Sequence, residues 1–160
     1  MRYTGSRVLA KYARLVHLSK IKRDPCQEEW VIKLDEFGEQ LLSYQKTLDK
    51  QPYGGFFHNP LSFFNRKQEK KIVSGFYLWG GPGRGKTFLM NLFIKSYPEL
   101  RCKRVHFHDF MRNIHCQLNE KVGISDPLIS FSKEISKRYT LICFDEFFVS
   151  DIADAMILGK

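Results

Sequence analysis

Residues 75–93 read GFYLWGGPGRGKTFLMNLF, and this stretch decides the fold. Gly80, Gly85, Lys86 and Thr87 fit the pattern G-x-x-x-x-G-K-[ST], with the apolar run Phe76, Tyr77, Leu78, Trp79 before them and Phe88, Leu89, Leu92 and Phe93 at helical spacing after them. The order predicted is strand, glycine turn, helix, which is the setting of a phosphate-binding loop. Through Gly80, Gly81, Pro82, Gly83, Arg84 and Gly85 the glycines admit backbone conformations closed to other residues, so successive N–H groups can face phosphate oxygens. The helix start adds its positive dipole end, Lys86 can reach the β- and γ-phosphates of ATP, and the Thr87 hydroxyl can ligate Mg²⁺. A glycine-rich turn alone would do no more than join a strand to a helix. Lys-Thr at the helix start takes the reading further.

A second motif lies about sixty residues on, a separation that leaves room for one helix-strand-helix excursion. Leu141, Ile142, Cys143 and Phe144 form a continuous apolar run, predicting a buried strand, and it ends in Asp145-Glu146. Carboxylates at the C-terminal end of such a strand face the crevice where an open α/β sheet binds ligands. Asp145 suits Mg²⁺, and Glu146 suits the base that orients and deprotonates the water attacking the γ-phosphate. Without the glycine loop, the same residues would be an acidic turn.

Composition sets wider bounds. At 160 residues, 43% hydrophobic and 14% aromatic, the chain has the makings of a globular domain. No apolar run reaches the roughly 18 residues that span a bilayer. The formal charge of +9 favours an acidic partner, although Arg2, Arg7, Lys11, Arg14, Lys20, Lys22 and Arg23 supply much of it from an acid-free N-terminal stretch that also reads as a solvated basic helix. Cys26, Cys102, Cys116 and Cys143 make no C-x-x-C pair, so a reducing compartment is the simpler inference, with Cys143 behaving as a small buried hydrophobe.

Along the chain, Val8, Leu9, Tyr12, Leu15 and Val16 keep a helical period. Asp24-Pro25 opens a second helix, with Asp24 as cap, Gln27 at capping-box spacing and Trp30, Leu34, Phe37, Leu41 and Leu48 as the buried stripe. Residues 51–71 are punctuated by Pro52, Gly54-Gly55 and Asn59-Pro60, and their aromatics Tyr53, Phe56, Phe57, Phe63 and Phe64 are expected to pack on the domain or on a partner. The helix after the glycine loop stops before Pro98. Residues 104–108 (RVHFH) read as a strand, Phe110, Met111, Ile114 and Leu118 as a helix, and Ser125-Asp126-Pro127 as the start of another. His106 and His108 on one strand face, with His115 and Cys116 nearby, invite a metal reading, but too few ligands converge, and HFH reads as a packing and coupling element. The division expected is 1–71, N-terminal helices and linker, and 72–160, nucleotide-binding core.

These stretches resemble a family. The glycine-loop stretch, RVHFHDFMRNIH at 104–115 and DPLISFSKEISKRYTLICFDEFFVSDIADAMILGK at 126–160 are similar to the ZapE-type (AFG-one-like) branch of the AAA+ ATPases, from about Tyr12 onward. The most specific parts are HFHDFM and FDEFFVSDIADAMIL. The resemblance implies an α/β P-loop NTPase, a three-layer sandwich with a parallel sheet preceded by N-terminal helices. It also implies Mg²⁺-dependent ATP hydrolysis, oligomeric assembly and, in bacterial members, a cell-division role through the tubulin-like division protein. Eukaryotic relatives are mitochondrial and linked to protein quality control. Residue by residue, it carries Gly80 through Thr87 as the phosphate loop, Asp145 for Mg²⁺ and Glu146 as catalytic base.

The family's strand order is five-one-four-three-two, and its members continue past residue 160 to a sensor asparagine, an arginine finger and further strands. The resemblance therefore implies that this chain is an N-terminal part, with C-terminal strands and lid missing, and inactive alone. A cytoplasmic site is expected, the mitochondrial matrix being the alternative. A nucleic-acid-handling ATPase such as a helicase loader and a non-catalytic remnant are the competing functions; nucleic acid is the less favoured partner.

Overall fold

The computed structural model describes residues 6–49, 73–120, 127–149 and 151–159. The aromatic-rich segment 51–71, the boundary expected after residue 71, and Ser125-Asp126 lie outside the described residues. The chain divides into two compact units, Met1–Tyr97 and Pro98–Lys160, each with its own interior.

Among the described residues the first unit holds three helices: α1 (Arg7–His17), α2 (Pro25–Asp49) and α3 (Lys86–Ser96). Asp24 caps α2 as its sequence predicts, its Oδ1 accepting the Cys26 N–H at 2.9 Å and the Gln27 N–H at 3.4 Å. α2 buries Val31, Leu34, Phe37, Leu41 and Leu42, so its stripe is shifted a little from the expected one, with Trp30 and Leu48 only half-buried. Leu89, Leu92 and Phe93 of α3 complete the interior with Val8 and Tyr12 of α1. One charged side chain is buried among them. Asp35 of α2 accepts the Val8 N–H at 2.7 Å and the Leu9 N–H at 3.0 Å, satisfying donors that every helix N-terminus leaves open. Ser6, the residue at the cap position of α1, makes no such bond itself.

Phe76–Trp79, expected as a strand, is not one: it forms no ladder with any described strand. A strand needs a neighbour to take its backbone hydrogen bonds. In the expected order its neighbours are strands other than those of 102–106 and 141–145. Here Phe76 is held by side chains instead, edge-on to Trp30 at 6.0 Å and 5.5 Å from Phe37 between ring centroids. Tyr77 and Trp79 face solvent.

The second unit runs β1 (Cys102–His106), α4 (Phe107–Glu120), α5 (Pro127–Arg138), β2 (Leu141–Asp145), α6 (Ile152–Leu158). β1 and β2 pair in parallel, from Cys102 opposite Leu141 to His106 opposite Asp145. These are the neighbours that the order three-two requires. The strand expected over 104–108 ends at His106, because Phe107, Met111 and Ile114 recur at helical spacing and all three are buried against Phe131. His108 therefore lies in the first turn of α4 and does not share a strand face with His106. Phe110, Leu128, Ile135 and Phe144 pack on the same cluster, joining the helical layer to β2. β2 itself is half-buried, less than its apolar run predicts, since β1 is its one ladder partner among the described residues. Cys143 is likewise half-buried, its Sγ 3.6 Å from that of Cys102; this contact and burial raise its pKa, keeping it a thiol. Among the described residues no helix is long and apolar enough to cross a membrane.

Candidate nucleotide site

The glycine loop lies in the first unit. Gly80, Gly83 and Gly85 have φ of 145°, 73° and 83°, in the region that favours glycine, so the loop's path depends on these residues having no Cβ. Gly85 is also the cap position of α3, so the left-handed turn and the helix start are the same residue. A Cβ built on Gly80, Gly81 or Gly83 would meet no described atom within 4 Å, which leaves the loop's face open to a ligand. The Lys86 ammonium turns back over this face and donates to the carbonyls of Gly80 and Gly81, each at 2.8 Å. Thr87 follows in the first turn of α3. Open loop, helix N-terminus and inward-turned ammonium are the parts an anionic polyphosphate requires.

The acidic end of β2 lies in the second unit. Asp145, the last residue of the strand, is ion-paired to Arg104 of β1, Nη2 to Oδ2, at 2.5 Å, with the carboxylate side chain 12% exposed. The register explains the pair, since Arg104 stands two residues before His106, the residue opposite Asp145. Glu146 leaves the strand with φ of 55°, a left-handed conformation uncommon for a residue with a side chain, and it is exposed. Non-glycine residues held this way cost of order 1 kcal/mol or more and concentrate at functional sites. Beyond it, Asp151 caps α6, and Asp154 of that helix meets His115 of α4 at 2.7 Å. The sequence placed Arg104 in a strand and weighed His115 only as a metal ligand; their pairings with Asp145 and Asp154 were not legible there, because each partner lies about forty residues away.

The family model for AFG1-like ATPase matches residues 7–160. The chain belongs to the AFG1-like ATPase family. It is thereby an α/β protein of the P-loop NTPase class, and its helices and parallel strand pair agree with that class. Among the relatives it is similar to are Cell division protein ZapE of Escherichia coli K12, 36% identical over 94% of this chain and 40% of the relative, and Lactation elevated protein 1 homolog B of Danio rerio, 32% identical over 96% of this chain and 39% of the relative. The chain thus spans about two fifths of the length of these curated relatives. No solved structure matches it significantly.

Proposed function

We propose that this AFG1-like protein binds ATP with Mg²⁺ through Gly80, Gly81, Pro82, Gly83, Arg84, Gly85, Lys86 and Thr87, and hydrolyses it with Glu146 as base. The observation that carries this reading is the loop: three left-handed glycines leading into a helix N-terminus, with a lysine ammonium turned onto the loop face. Lys86 exchanges the two loop carbonyls for β- and γ-phosphate oxygens, and the N–H groups of the loop and of the first turn of α3 orient the phosphates. Thr87 and Asp145 would hold Mg²⁺, which would supply positive charge to neutralise the transferred phosphoryl group. Glu146, exposed at the end of β2, accepts the proton of the attacking water.

In this reading residues 1–71 are a helical and linker region and 72–160 the nucleotide-binding core. The name of the Escherichia coli relative supports a role in cell division. Hydrolysis would drive action on a protein partner, a tubulin-like division protein or another client. The intact protein would assemble as a homo-oligomer and work in the cytoplasm. Glu146→Gln in the intact protein tests the base assignment. The amide keeps the shape but accepts no proton, so ATP binding should persist while turnover falls about a hundredfold or more. Turnover equal to wild type would remove Glu146 from the mechanism.

A further inference from the structure

The start of α2 does not close on itself as its sequence predicts. In a capping box, the side chain three residues after the cap reaches back to the cap residue's own N–H. Gln27 stands at that spacing from Asp24. In the structure the Asp24 N–H is already taken by the phenol oxygen of Tyr12, at 3.0 Å, and Tyr12 is a fully buried residue of α1. The Gln27 amide is thereby released from the cap and turns to the glycine loop, where its Nε2 donates to the Arg84 carbonyl at 3.4 Å. That nitrogen lies 2.8 Å from where a Cβ on Gly85 would stand, so the close approach itself relies on Gly85 being glycine.

The contact falls at a sensitive point. Arg84-Gly85 is the peptide that carries the chain from the loop into α3, with Gly85 left-handed at the helix cap. Peptide groups are planar and trans, so the carbonyl of Arg84 and the N–H of Gly85 point in opposite directions. Holding that carbonyl toward α2 aims the Gly85 N–H away from α2. The same helix grips the other side of the loop, since Trp30 and Phe37 pack against Phe76 just upstream. α2 therefore fixes the loop at both of its ends.

We infer that Gln27 is a positioning residue for the nucleotide loop: released from helix capping by Tyr12, it sets the Arg84-Gly85 peptide in the orientation that phosphate binding requires. The inference rests on the loop being the ATP site. It makes α1 and the start of α2 part of the nucleotide site's support, and gives the N-terminal helices a direct route to its affinity.

The test is a double-mutant cycle in the intact protein, with the dissociation constant for ADP as readout, so that turnover plays no part. Gln27→Met keeps the length and removes the donor, and should weaken ADP binding about threefold to tenfold, the range expected for one neutral hydrogen bond. Its melting temperature should not fall, because Asp24 and Tyr12 still cap α2. Tyr12→Phe returns the Asp24 N–H to Gln27, drawing the amide off the loop, and should weaken ADP binding by itself. The double variant should then be no weaker than Gln27→Met alone, a non-additivity that a general loss of packing would not produce. Wild-type affinity in Gln27→Met, or additive losses in the double variant, would overturn the inference while leaving the loop as the nucleotide site. No ADP or ATP binding by the wild type would overturn both.

Discussion

The phenol of Tyr97, one residue past α3, ends against α2: it donates to the backbone oxygen of Asp35 at 3.0 Å and to the Asp35 carboxylate at 3.3 Å. Burial first, and the Asp35 charge second, raise its pKa above the ordinary tyrosine value. The folded state therefore holds this proton more tightly than the unfolded chain does. Its contribution is complete below about pH 10 and is lost as pH rises above that value, where the unfolded chain ionises first. Urea unfolding followed from neutral to alkaline pH should show stability declining past that point, and Tyr97→Phe should flatten the decline despite lowering stability at neutral pH. Equal alkaline slopes in the two proteins would contradict the assignment. Residue-scale chemistry of this kind was hidden in the sequence. Asp35 was not singled out there, since its partners Val8, Leu9 and Tyr97 lie far from it along the chain.

At the scale of elements, Asp35 is what makes α1 and α2 a unit, one helix capping the other from its middle. Removing a carboxylate that accepts two helix N–H groups leaves buried donors unsatisfied. Asp35→Ala should therefore lower stability by about 2–4 kcal/mol, more than an exposed cap would, measured as the urea midpoint at unchanged slope. A loss under about 0.5 kcal/mol, the level of a surface substitution, would show that the contact carries little. Gly38, one turn along, has a related role, because a Cβ there would lie 2.2 Å from the Tyr97 ring. The elements themselves were largely legible where their signals are local: Asp24-Pro25 gave the start of α2, and the glycines followed by Lys-Thr gave the turn into α3. Elements whose limits depend on tertiary partners were not. Phe76–Trp79 has strand composition without a ladder, and the alternating HFH pattern hid a helix beginning at Phe107, whose burial against Phe131 decides the matter. α6 went unread, although Asp151 followed by Ile152 and Ala153 is a capping signal.

Across the whole molecule, the glycine loop belongs to the first unit and the acidic strand end to the second, each supported by its own core. Both motifs could be read from sequence because each is a run of contiguous residues. Their supports could not, since Gln27 reaches the loop from α2 and Arg104 reaches Asp145 from β1. The proposed function turns on the open glycine loop being an ATP site whose lysine supplies charge to the phosphates. The most direct test is a titration of the intact protein with ATP and Mg²⁺, alongside Lys86→Ala. Alanine is a strong helix former at this half-buried first helical position, so the variant should fold as the parent does. Its ATP affinity should fall about tenfold or more, in keeping with the loss of charge-assisted hydrogen bonds to phosphate. ATP affinity and turnover unchanged in Lys86→Ala would remove the glycine loop from the mechanism.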